Sequence, residues 1–259
     1  MSSALLQLPT ASRRTAFRKI VQNEARLAWR RPVGILAGVA IPVLIVVIFG
    51  NIAVFHRPSP DLGGFTAFNV YVPILAVFSM AMIALLGLPV PLANYRELGY
   101  LRRLSTTPTP RSWLLAAQGV IQLAIALIAL VIIFGLSLTV FGAHAPVSLG
   151  GLLLSIALCA AGLFPIGLLV AAVARTANAA SIIGRLAFFP LIFFAGLWLP
   201  QPLMPTALRD ISNYTPLGAA VEAIQSSMLS GFPSATPLLV LAGYAVVFGF
   251  LARRFFRWE

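Results

Sequence analysis

Few side chains in this 259-residue chain are equipped for chemistry. The acids are Glu24, Asp61, Glu97, Asp210, Glu222 and Glu259, and none falls inside a long apolar run. The two histidines, His56 and His144, lie in connecting segments with no nearby carboxylate or cysteine to complete a metal site. The single cysteine, Cys159, sits in the middle of an apolar block and reads as a small buried hydrophobe. It cannot form a disulfide within the chain. Gly135-Leu136-Ser137 has the outline of a nucleophile turn, but it lies inside a long apolar run, where single matches arise by chance. A phosphate-binding loop of the form G-x-x-x-x-G-K-[ST] needs a lysine to reach the terminal phosphates. The only lysine, Lys19, follows Phe17 and Arg18 and cannot belong to one. Any function driven by ATP would therefore borrow its ATPase. An ion-coupled carrier usually keeps ionisable groups at mid-membrane, and the best-defined apolar runs show none. An intramembrane enzyme is left as a remote alternative.

The elements that would position these residues are apolar. Hydrophobic residues make up 60% of the chain and charged residues 9%, against about 25% charged in a typical soluble domain. The apolar residues fall in blocks near or above the roughly 18 residues needed to cross about 30 Å of hydrocarbon as a helix. The short alternating strands of a membrane barrel are missing. Lipid cannot satisfy an open backbone, so an all-α integral membrane fold follows. Expected crossings run from Val33 to Phe55, Ala67 to Leu92, Trp113 to Phe141, Leu149 to Val173, Ser181 to Leu199 and Thr236 to Leu251. Residues 1–32 form an amphipathic N-terminal segment and residues 33–259 a six-helix transmembrane domain. In the first segment Phe17, Ile20, Val21 and Leu27 interleave with cations at helical spacing, the pattern of a helix lying on the membrane surface. Its basic stretch is too long for a cleaved signal peptide, and no small-residue cleavage site follows the apolar run.

The formal charge of +12 invites a nucleic-acid reading, and its distribution argues against one. Lysine and arginine crowd the N-terminal segment, the second connection (Arg96, Arg102, Arg103, Arg111), the fourth (Arg175, Arg185) and the tail (Arg253, Arg254, Arg257). The first and fifth connections hold only Arg57 and Arg209, and the third holds none. This asymmetry predicts both termini in the cytoplasm and an even number of crossings. The positive charge then reports topology and contact with anionic lipid.

The second connection is the richest. Leu98, Leu101 and Leu104 repeat at three-residue spacing on one helical face, with Arg96, Arg102 and Arg103 around it. Pro108 and Pro110 stop the helix. This can be a rigid cytoplasmic helix that transmits force, or an ordinary basic loop obeying the positive-inside rule. Glu97 is its only acid, placed near the start of that helix. It either stabilises the helix end or pairs with a basic group on a partner, and the pairing is the role expected here. Gly34-x-x-x-Gly38 in the first crossing lets two helices approach closely, or reflects only the small-residue content of membrane helices. Gln118, Gln122, Asn178, Phe189 and Phe193 are candidates for a substrate pathway. The phenylalanines equally fit contact with lipid or a neighbouring helix.

Two blocks carry a resemblance. Arg96-Glu97-x-Gly99-x-Leu101-x-Arg103-Leu104-x-x-Thr107-Pro108 resembles the signature after the second transmembrane helix of type-2 ATP-binding-cassette exporter permeases. The run from Phe193 through Gly196 to Pro200, then Pro205, then Tyr214-Thr215-Pro216-Leu217 and Val221-Glu222-Ala223-Ile224, is similar to the family's segment between its fifth and sixth helices. Thr215 stands where the family often has Asn, and Gln225 where it often has Arg. The resemblance implies a transmembrane permease subunit, in the cell membrane, that exports a hydrophobic or amphipathic compound such as a drug, antibiotic or lipid-like molecule. A lipid-linked polysaccharide is the alternative cargo. It further implies two ATP-binding subunits and a second permease, the same or related, as partners. The chain would bind no cofactor itself, with ATP and Mg held on the ATPase. Residues 96–104 would be a cytoplasmic coupling helix, and residues 201–230 short outer helices that re-enter the membrane.

The topology can be tested directly. With Cys159 replaced, cysteines at Ser59 and Ala145 should react with an impermeant thiol reagent in intact cells, and those at Ser105 and Asn178 only after lysis. Labelling of Ser105 from outside would reverse the orientation.

Overall fold

The computed structural model describes residues 13–30, 33–99 and 112–255. Helix α1 spans Arg13–Arg30 and α2 Val33–Asn51. Helix α3 spans Ala67–Glu97, α4 Ser112–Thr139, α5 Leu149–Val173 and α6 Ala177–Phe194. Two short helices follow, α7 (Thr206–Tyr214) and α8 (Pro216–Leu229), before the last, α9 (Ala235–Phe255). Among the described residues no strand forms beyond one antiparallel bridge between Pro58 and Thr66.

Five helices, α3 to α6 and α9, are long and apolar enough to cross a membrane. The first expected crossing corresponds to α2, whose described apolar stretch Leu36–Asn51 is shorter. The fifth expected crossing needs correction. Its helix starts at Ala177, not Ser181, because the Thr176 side chain accepts the N–H of Ala179 and caps it there. Arg185, counted above with the fourth connection, therefore lies in the middle of α6.

The buried centre is α3, which is apolar on all sides and enclosed by α2, α4, α5, α6 and α8. Its middle is not regular. Pro89 has no N–H to offer the carbonyl of Leu85, and Pro91 has none for Gly87. The chain responds with a π-helical turn over Met82–Gly87, in which the N–H of Leu88 reaches back to the carbonyl of Ile83 at 3.0 Å. Neighbouring helices press glycines onto this turn. A Cβ on Gly167 of α5 would collide with the carbonyl of Ala84, and one on Gly184 of α6 with the carbonyl of Leu85. On α2, a Cβ on Gly38 would lie 2.7 Å from the side chain of Ile83, and the Gly38 carbonyl accepts the Ser79 hydroxyl at 2.7 Å. Gln122 of α4 donates to the Gly87 carbonyl in a long hydrogen bond of 3.4 Å.

Helix α3 also ends differently from expectation. Arg96 and Glu97 occupy its last turn, so Glu97 stands at the C-terminal end of its helix and not at the start of a new one. Gly99, at φ +65°, stops the helix because its left-handed backbone suits glycine. Of the expected coupling residues, Leu101, Arg103, Leu104, Thr107 and Pro108 lie outside the described residues.

Glycine contacts at the π turn set a stability test. Gly167→Ala and Gly184→Ala should each destabilise the protein by about 1–3 kcal/mol through forced separation of helices. Gly243→Ala, whose Cβ meets open space, should be neutral or stabilising by about 0.5–1 kcal/mol. Thermal unfolding in detergent distinguishes these outcomes.

Candidate functional site

A dense set of polar contacts gathers at the end of α3 that precedes residues 100–111. Three successive residues there bind three different elements. The Arg96 guanidinium donates through Nη1 to the carbonyls of Ala171, Ala172 and Ala174 at 3.1, 3.1 and 2.9 Å. These are the terminal carbonyls of α5, which have no partner within their own helix. A cation also complements the negative end of that helix. The adjacent Glu97 carboxylate accepts the N–H of Ala177 at 2.9 Å, on the first residue of α6. A carboxylate there complements the positive end of α6. Helices α5 and α6 are joined by a short turn through Ala174, Arg175 and Thr176. The Arg96-Glu97 pair thus clasps both sides of one turn, each charge meeting the helix end it suits.

Tyr95 faces the other way. Its hydroxyl donates to the Glu24 carboxylate of α1 at 2.7 Å, and Gln118 of α4 donates to the same oxygen at 2.5 Å. Glu24 is only 3% exposed. Desolvation pushes its carboxyl above the usual range, and the bonds from Tyr95 and Gln118 partly offset that rise. Phe17 of α1 meets Trp113 of α4 edge to face, with ring centres 5.9 Å apart. Residues 100–111 therefore connect two helix ends that are both tied to α1.

The sequence-level candidates separate into distinct places. Arg96, Glu97 and Gly99 come together at the clasp. No Cβ clash surrounds Gly99, so its role is conformational and not close packing. Gln118 and Gln122 are buried and engaged with Glu24 and Gly87. Asn178 is exposed beside the clasp. Phe189 lines a groove between α3 and α6, and Phe193 packs near Trp198 with ring centres 6.5 Å apart.

At the opposite end of the bundle, Gly196 adopts φ +88° and leads into the buried Pro200. Pro205 precedes α7 and Pro216 opens α8, whose Glu222 is half-buried. Gln201 and Ser212 organise this end. Gln201 donates to the Ser212 hydroxyl at 2.7 Å and the Gly218 carbonyl at 3.1 Å, while Ser212 donates to the Phe194 carbonyl. Sequence reasoning missed both residues, and it missed Glu24 and Tyr95. Glu24 had a legible signal: with Phe17, Ile20, Val21 and Leu27 it falls on the apolar stripe of α1.

A bundle of apolar helices with polar ties at one end and no metal-binding cluster among the described residues is built like a membrane transport subunit. The comparison with known families agrees: residues 15–229 match the ABC-2 type transporter model, and the chain belongs to that family. The match covers most of the chain and makes it a multi-pass membrane protein that associates with an ATP-binding-cassette subunit. Among similar proteins, the transport permease ycf38 of Pyropia yezoensis is 26% identical over 205 residues, covering 75% of this chain and 67% of that protein. Its counterpart in Porphyra purpurea is 26% identical over 213 residues, covering 80% and 71%.

The Glu24 site makes a pH prediction. Its carboxyl is raised in the folded protein, so its contribution is fully present below the ordinary carboxylate range and is lost as pH rises through the raised value. Docking of α1 should therefore be tighter in mild acid than at neutral pH. Limited proteolysis of α1 and fluorescence of Trp113 should both show this. Glu24→Gln keeps an acceptor for Tyr95 and Gln118 and should flatten the pH dependence.

Proposed function

We propose that this chain is the membrane subunit of an exporter in which ATP and Mg are bound on two separate ATP-binding-cassette subunits. The chain crosses the membrane six times, with α2 as the first crossing, and keeps both termini and the clasp in the cytoplasm, a reading supported by the clustering of lysine and arginine. Helices α7 and α8 re-enter from the outer side, and two permease chains, identical or related, enclose the path. The cargo is a hydrophobic or amphipathic compound taken from the cytoplasm or inner leaflet.

The observation that carries this reading is the run Tyr95-Arg96-Glu97. Arg96 and Glu97 open the segment expected to dock on the ATPase, residues 96–104, and the hydrogen bonds of the run reach α1, α5 and α6 together. ATP binding favours the closed ATPase pair, a ligand selecting one of two states. Closure displaces residues 100–111. Through the clasp that displacement moves the end of α3 and, with it, the α5–α6 turn. Glu97 acts here as the acceptor for α6 and need not pair with the ATPase to couple movement.

Purified chain alone should hydrolyse no ATP above background, and hydrolysis that survives rigorous removal of partner proteins would overturn the proposal. Arg96→Gln should leave the ATPase bound but cut export severalfold, because several terminal carbonyls lose a charged donor, a loss worth about 1–3 kcal/mol. Glu97→Gln should act in the same direction and more weakly, at about 0.3–1 kcal/mol. Export at the unsubstituted rate in both variants would show that the clasp does not couple the two subunits.

A further inference from the structure

One charge in the bundle is unexplained by the clasp. Arg185 lies eight residues, about 12 Å, beyond the start of α6, near the middle of that helix. It is exposed, forms no ion pair among the described residues, and donates only to the Ser181 hydroxyl one turn earlier, at 2.5 Å. A charged side chain at such depth is costly in lipid and is normally held by a partner, a polar cavity or a ligand.

The surroundings of Arg185 narrow the choice. It lies at the edge of a groove of about 310 Å³ between α3 and α6, within the size range of small-molecule sites. Apart from Ser181 and Arg185, the lining is apolar, with Phe78, Phe188, Phe189 and Trp198 among it. Phe188 is packed against Phe78, their ring centres 5.7 Å apart, which gives the groove a firm floor. Phe189 and Trp198 remain 57% and 59% exposed and form an open aromatic wall. A guanidinium at one point and aromatic surface elsewhere complement a molecule with one anionic head and an apolar body.

We infer that the groove between α3 and α6 binds an acidic amphiphile, its anionic head on Arg185 and Ser181 and its apolar part against Phe189 and Trp198. This rests on reading the chain as an exporter subunit for amphipathic cargo and names the class of that cargo. An acidic head would be neutralised in place by Arg185, which would itself gain the counter-charge it lacks. A neutral or cationic amphiphile gains nothing from the guanidinium and leaves its charge unmet.

Trp198 supplies the test. The full chain is purified in neutral detergent with Trp29, Trp113 and Trp258 replaced by Phe. It is titrated with an alkyl phosphate carrying a terminal bromine, and with the maltoside and trimethylammonium amphiphiles of the same tail. Bromine quenches a tryptophan that it touches. The phosphate should half-quench Trp198 at about tenfold lower concentration than the maltoside, the effect of one charge-assisted contact. Arg185→Gln should abolish that preference and Arg185→Lys should keep most of it. In the unsubstituted chain the preference should shrink as ionic strength rises, a readout that stands even if Arg185→Gln folds poorly. Equal quenching by the three heads, or a phosphate preference that survives Arg185→Gln, overturns the inference. So does absence of quenching by any tail while cysteines placed at Ile182 cross-link two copies, which would make the groove an interface between permeases. Binding is read without ATP or transport, so failure of head-group selectivity leaves the exporter reading standing. Failure of ATPase association likewise leaves this inference standing.

Discussion

A backbone in the interior of an apolar bundle has no water to complete its hydrogen bonds, and α3 must pass through that interior with three prolines in its path, Pro73 and the closely spaced Pro89 and Pro91. The π turn at Met82–Gly87 is the local answer, and the helices around it are placed by what that turn leaves projecting. Carbonyls at Ala84 and Leu85 point outward where Gly167 and Gly184 arrive, and only a residue without Cβ can come so near. Gln122 meets the next available carbonyl, at Gly87. Close contact at these points lets α5 and α6 lie against α3 tightly enough for their far ends to reach Arg96 and Glu97. The polar clasp thus depends on an apolar crossing several turns away.

Charge is used sparingly and locally. Arg96 and Glu97 do not neutralise one another. Each is spent on the end of a different helix, where a terminal carbonyl or amide would otherwise go without a partner in the protein. Tyr95 and Gln118 meet the single acid of α1 in the same way. Five polar side chains, Glu24, Tyr95, Arg96, Glu97 and Gln118, therefore tie five helices together. Arg185 follows another logic, since no helix terminus or carboxylate meets it.

Much of this was legible in the primary structure. Hydropathy located the apolar helices to within a few residues, since five of them are long enough to cross a membrane unaided. The signature from Arg96 to Pro108 and the outer segment ending at Ile224 pointed to the family that the comparison then showed. What stayed hidden depended on contacts between elements distant in sequence. Nothing local says that Gln118 turns toward Glu24, or that the Glu97 carboxylate reaches the start of α6. Arg185 was misplaced for a different reason. The helix start was drawn four residues late, at Ser181 instead of Ala177, which put Arg185 about one turn from the expected boundary and so in the count of the adjoining connection. The end of α3 was drawn early, at Leu92, because the polar run Asn94 to Glu97 lowers the hydropathy while the helix continues through it.

The tie between Glu24 and its donors also bears on how the protein is made. Its two partners lie 71 and 94 residues further along the chain. During synthesis α1 emerges first and has nowhere to dock, because Tyr95 and Gln118 have not yet been translated. It must wait, its acid hydrated and ionised, until the two later segments on either side of residues 100–111 have been inserted. Seating of α1 is thus a late event in biogenesis and reports that the inserted segments have found one another. A chain stalled or mis-inserted before that point would keep its N-terminal helix loose and open to surveillance proteases.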